Sequence, residues 1–194
     1  LIFEEKSEAF TVSIGLSTDE KYFFISSSDH NTSEQYYFEV NEENPKPKLI
    51  KERKRGIIYS VNSWDGYFYN HTNENAEDFK IDRCKDLSKQ NWETYISAKD
   101  EVLIGGLVFL NNWVIRSETS NALGKLFVKN KNTNKEEELI FSNEKVIVPS
   151  VSLIQKDKST DLVYLSYSSP KTPGRTYLYN LETKDRKLVK EQEI

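Results

Sequence analysis

The strongest constraint in this sequence is a repeat: one four-part pattern of short apolar runs recurs about every 45 to 50 residues, with polar turn residues between its parts. In the first unit Phe10-Thr11-Val12-Ser13-Ile14 alternates and Asp19-Glu20-Lys21 turns. Tyr22-Phe23-Phe24-Ile25 follows, Asn31-Thr32-Ser33 turns again before Tyr36-Tyr37-Phe38-Glu39-Val40, and Leu49-Ile50 closes the unit. The second unit keeps the order: Ile57 to Val61, a turn at Asp65-Gly66, Tyr67-Phe68-Tyr69, a turn at Asn73-Glu74-Asn75, Phe79-Lys80-Ile81, then Trp92 to Ile96. The third reads Val102 to Phe109, Asn111-Asn112, Trp113-Val114-Ile115, Leu126-Phe127-Val128 and Leu139-Ile140-Phe141, and the last reads Val151 to Ile154, Leu162 to Leu165, Tyr177 to Tyr179 and Leu188-Val189.

β-Branched and aromatic residues suit half-buried pleated ladders, and Asn, Asp, Gly and Ser supply the turns. The pattern therefore predicts an all-β chain of sixteen strands in four antiparallel four-stranded meanders, a β-propeller fragment with blades over about residues 8–52, 55–98, 101–142 and 146–191 of a single partial domain spanning 1–194. A two-sheet sandwich also uses short strands and regular turns, but it has no reason to repeat in blocks of four. A cut ring leaves its end sheets uncovered. Phe10, Val12, Tyr22, Phe24 and Tyr36 at one end and Val151, Leu153, Leu162, Tyr164 and Tyr177 at the other supply the apolar side chains, so self-association through the end blades is expected.

Composition narrows the function. With a formal net charge of −4, the chain is no general nucleic-acid binder. The cationic run from Lys46 to Arg55 reads as a solvated outer strand and connector. No apolar run reaches the ~20 residues of a membrane span, the start lacks the pattern of a signal peptide, and the lone Cys84 permits no intrachain disulfide, so a cytoplasmic location and no membrane partner are expected. The absence of Met implies that residue 1 is internal to a longer protein.

No catalytic, cofactor-binding or metal-ligating residue is assigned, and no cofactor is expected. A Gly-x-Ser-x-Gly nucleophile elbow is missing. His30 and His71 lie in polar, turn-rich stretches without a positioned nucleophile, and Ser26-Ser27-Ser28 reads as a turn. Glu4, Glu5, Asp19, Asp65 and Asp161 could pair across a propeller mouth, but 31 acidic residues make chance encounters common. Trp64-Asp65 occurs once and does not recur per unit, which weakens the alternative of a stand-alone propeller scaffold for protein–protein interaction.

Several stretches resemble the oligopeptidase B (protease II) group of the prolyl oligopeptidase family of serine peptidases. They are Glu4-Glu5-Lys6 with Phe10 and Val12-Ser13, Thr32-Ser33-Glu34, the run from Arg53 to Tyr59, and Tyr67-Phe68-Tyr69 ending near Asn73. Asn91-Trp92 and Tyr167-Ser168-Ser169 with Pro173 and Tyr177 extend the likeness along nearly the whole chain. The resemblance implies a seven-bladed propeller capping an α/β-hydrolase domain that cleaves short peptides after Arg or Lys. It places the Ser, Asp and His of catalysis in that other domain, so none maps here. Only a lid role that excludes folded proteins transfers. Four blades stand where the family has seven, and the catalytic domain is absent.

Overall fold

The computed structural model describes residues 1–140, 144, 147–154 and 157–193. Among them there is no helix, and the strands form four antiparallel four-stranded sheets, each a simple meander in chain order. The first sheet holds β1 (Thr11–Leu16), β2 (Tyr22–Ser28), β3 (Ser33–Glu39) and β4 (Lys48–Lys51). The second holds β5 (Tyr59–Trp64), β6 (Tyr67–Thr72), β7 (Lys80–Cys84) and β8 (Glu93–Ile96). In the third are β9 (Leu103–Phe109), β10 (Trp113–Ser120), β11 (Leu123–Asn130) and β12 (Glu136–Glu138), and in the fourth β13 (Val148–Leu153), β14 (Leu162–Ser168), β15 (Arg175–Asn180) and β16 (Arg186–Glu191).

The chain divides into two compact units, Leu1–Asp100 with the first two sheets and Glu101–Ile194 with the others. In the first unit the sheets meet over Phe24, Ile50, Tyr59, Val61, Phe68 and Cys84, with Tyr22, Tyr37 and Trp92 around them. In the second they meet over Trp113, Ile115, Leu126, Val128, Val163, Leu165 and Tyr179, with Val151, Leu153 and Tyr177 packed alongside. Alternation along each strand sends these side chains to the shared face.

Turn chemistry follows the backbone. Asp65 (φ 52°) and Gly66 (φ 76°) make the two-residue link from β5 to β6, and Asn121 (φ 48°) and Ala122 (φ 61°) make that from β10 to β11, both with the positive φ that matches strand twist. Asn130 Oδ1 accepts from the N–H groups of Asn132 and Thr133, and Asn180 Oδ1 accepts from Glu182 and Thr183, so the last turn of the third and fourth sheets is the same device. A register shift recurs where the outermost strand joins: between Gln35 and Tyr36, Ile81 and Asp82, and Thr176 and Tyr177.

Some sequence expectations move. Ser26-Ser27-Ser28 is strand, paired with Ser13, Val12 and Thr11, and Ser33 begins β3 instead of ending a turn. His71 lies inside β6. The last strand of the third sheet is Glu136–Glu138 and not Leu139-Ile140, while Phe141 lies outside the described residues, as do 142 and 146 at the expected blade limits and 194 at the expected domain limit. Three glutamates have little intrinsic strand preference, but they face Lys129 and Phe127 across the ladder, and Arg116 and Lys125 neutralise two of them. Of the side chains expected on open end faces, Tyr22 and Phe24 join the first core, and Val151, Leu153 and Tyr177 the second. Val12, Ile14 and Leu16 form the exposed apolar strip of β1.

Leu165 is 1% exposed, so Leu165→Ala is expected to lower unfolding free energy by about 2–5 kcal/mol in urea titrations. Val12, 44% exposed, should cost within about 0.5 kcal/mol when replaced by Ala. Equal losses would contradict the assignment of faces.

Candidate functional site

The chemistry of the first unit gathers at two places, and both join parts of the fold. At the seam between its sheets, the free edge of β5 faces side chains of β3. Ser33 Oγ accepts from Tyr59 N–H at 2.7 Å and donates to Tyr59 C=O at 2.8 Å, and Gln35 Oε1 accepts from Val61 N–H at 2.6 Å. Gln35 Nε2 donates to Ser26 Oγ at 2.8 Å. The Tyr59 hydroxyl accepts from Gln35 N–H at 2.8 Å and donates to Lys51 C=O at 2.6 Å, and burial pushes its pKa up to about 12. Further along, Ser63 donates to Asp19 Oδ2 at 2.8 Å, and Lys51 pairs with Glu74.

The second place is Arg53. Its guanidinium binds Glu5 at 2.6 Å and Glu34 at 2.8 Å, its backbone N–H reaches Glu34 Oε1 at 3.0 Å, and it stacks 4.2 Å from the Phe10 ring. Glu5 also accepts from Ser27 Oγ at 2.6 Å and from Ser7 N–H at 2.9 Å, and Phe3 packs on Tyr36 with ring centroids 4.7 Å apart. One arginine thus ties the leading segment, residues 1–10, to β2, β3 and the connector after β4. The Ser27 hydroxyl, then the Ser7 N–H and Arg53, hold the Glu5 carboxyl down to about 2. A base that weak cannot activate Ser27 as a nucleophile.

In the second unit Trp113 Nε1 donates to Asp161 at 2.7 Å across the seam, and Lys184 pairs with Glu137 at 2.7 Å. The buried Arg116 is held by Glu118 at 2.8 Å and by both oxygens of Glu136 at 2.8 and 3.1 Å, over the Phe127 ring. The residues weighed for catalysis fall into structural roles. His71 stacks on Phe79 at 4.6 Å, His30 is exposed at a bend, and Asp19 and Asp161 serve the seams. Cys84 is buried, which pushes its thiol up to about 11 and leaves little thiolate at neutral pH. Among the described residues no three of His, Cys, Asp and Glu gather as metal ligands.

The family model of the prolyl oligopeptidase N-terminal β-propeller domain matches residues 1–192. The chain belongs to that family. Protease 2 of Moraxella lacunata is 30% identical over 97% of this chain, and dipeptidyl aminopeptidase BI of Pseudoxanthomonas mexicana is 25% identical over all of it. The chain spans about a quarter of each relative's length, 27% in both cases. Among solved structures, oligopeptidase B of Trypanosoma brucei superposes with a TM-score of 0.87 over 99% of this chain and 29% of that one at 23% identity. Oligopeptidase B of Leishmania major gives 0.84 over 99% and 28% at 16% identity. These likenesses establish the propeller fold, and the named relatives are peptidases.

Arg53→Ala strands two carboxylates and is expected to lower stability by roughly 3 kcal/mol in denaturant titrations, with Lys6 becoming an early tryptic site as residues 1–10 detach. Because the Glu5 pKa is depressed in the fold, its contribution is complete above about pH 4.5 and fades as pH falls through about 2. Glu5→Gln should therefore be less stable than the parent at pH 6 and converge on it near pH 2. A constant gap across that range would refute the linkage.

Proposed function

We propose that this chain is a non-catalytic part of the substrate-gating propeller of an oligopeptidase B-like serine peptidase that cleaves short peptides after Arg or Lys. Both units are then consecutive blades of one partial propeller. The observation that carries this reading is the 30% identity to Protease 2 along 97% of the chain, taken with side chains whose polar groups are spent on holding sheets together. A rigid ring wall needs that economy, and it acts as a size filter through geometry and not through binding energy. On this reading the partners are the hydrolase domain of the same parent chain and short basic peptides, with no cofactor and no nucleic acid. A cytoplasmic setting accords with a single buried cysteine, and among the described residues no helix is long and apolar enough to cross a membrane. The exposed Val12, Ile14 and Leu16 favour association of isolated copies, checked by light scattering across a concentration series.

Incubated with fluorogenic peptides ending in Arg or Lys, the 194-residue chain should match buffer, whereas the parent enzyme should cleave them and spare the same site inside a folded protein. Turnover by the isolated chain, or cutting of the folded protein at a comparable rate, would sink this reading.

A further inference from the structure

The face of the fourth sheet turned away from the third repeats part of the face of the first sheet that the second sheet covers, with Gly174 standing where the first sheet has Ser33. The hairpins align on the pairs farthest from their turns, Tyr22 with Glu39 and Leu162 with Asn180. Ser166 then takes the place of Ser26 and Thr176 that of Gln35, and the two hydroxyls bond at 2.8 Å as Gln35 and Ser26 do. The register shift recurs at the same point, pairing Thr176 with Lys190 as it pairs Gln35 with Lys51. In the first sheet that shift places Gln35 N–H and Lys51 C=O where the Tyr59 hydroxyl satisfies both. The other two sheets lack the pattern, having Ile81 and Leu126 at the Gln35 position.

What differs is coverage. Ile50, the residue inside the first sheet's shift, is 2% exposed, whereas its counterpart Val189 is 47% exposed. Beside it is a cleft of about 730 Å³, lined by Ser166, Thr176, Lys190, Arg175, Glu191 and Glu193 among others. Lys51 is neutralised by Glu74 from the second turn of the sheet it faces, while Lys190 has no carboxylate partner among the described residues.

The geometry points to a socket for a strand of one chemistry: the first strand of a further four-stranded sheet, carrying a tyrosine at the position of Tyr59 and followed by a carboxylate at that of Glu74. The phenol enters the cleft to bond Thr176 N–H and Lys190 C=O, an aliphatic neighbour covers Val189, and the carboxylate meets Lys190. Copies of this chain are poorer occupants, because Val12 stands in β1 where β5 has Tyr59. The inference rests on the chain being part of a larger propeller and specifies what adjoins it.

The probe is a cyclised hairpin of residues 57–75, which contains Tyr59, the Asp65-Gly66 turn and Glu74. Added to the isotope-labelled chain, it should shift the amide signals of β15 and β16 saturably, with affinity about tenfold greater than the same hairpin bearing Tyr59→Phe, the order of one buried hydrogen bond. Lys190→Glu, a surface change that leaves the fold intact, should weaken binding severalfold, and a Glu74→Lys hairpin should restore it. No shift at millimolar hairpin, or equal affinity with Tyr and Phe, would overturn the socket. Either result leaves the gating reading untouched, because no peptidase substrate enters the measurement, and failure of the substrate assay leaves the docking result standing.

Discussion

A strand at the rim of a sheet carries a row of N–H and C=O groups that must find partners, and in the first unit that requirement organises everything else. Ser33 and Gln35 supply side-chain oxygens to the rim of β5 at the strand's own repeat distance, every second residue. The result is a ladder of mixed kind, backbone on one side and side chains on the other. It joins two sheets nearly face to face where ordinary strand pairing would have fused them into one. Tyr59 completes it by filling the one point where the first sheet's own ladder is interrupted.

Charge does comparable work farther from the cores. Arg53 and Arg116 each lie against an aromatic ring and between two carboxylates, so the cost of withdrawing a guanidinium from water is offset by several directed bonds at once. A planar fork can serve two acids in fixed directions in a way an ammonium cannot. Both arginines join pieces of chain that are not paired with each other as strands: residues 1–10 with the connector after β4 in one case, and β10 with β12, across β11, in the other.

The strand pattern was legible because alternation and turn residues are local signals. β2, β6 and β14 are found where their aromatic and aliphatic runs begin, and Asp65-Gly66 announces its own turn. β12 was not legible, since its stability comes from cations in β10 and β11 and not from its own residues. The shared turn built on Asn130 and Asn180 carried a readable signal, an Asn followed three residues later by Thr, that the hydrophobic pattern obscured. Arg53 sits in a run of cations that reads as a wet surface. Its partners lie 48 and 19 residues away, a distance at which no periodicity speaks. The seam residues Ser33 and Gln35 were hidden for a related reason: a polar residue in a strand looks outward until the neighbouring sheet is known.

The seam also sets an order of assembly during synthesis. The hairpins of the first sheet close on residues only a few positions apart, but Ser33 and Gln35 meet partners 26 residues later in the chain. At roughly 5–20 residues per second, those side chains and the interrupted ladder beside them wait on the order of seconds for Tyr59 and Val61 to leave the ribosome. During that interval the first sheet presents to the cell the very donors and acceptors that later bind β5. A growing chain of this design is thus briefly its own vacant receptor, and the second sheet is recruited by the unmet hydrogen bonds of the first.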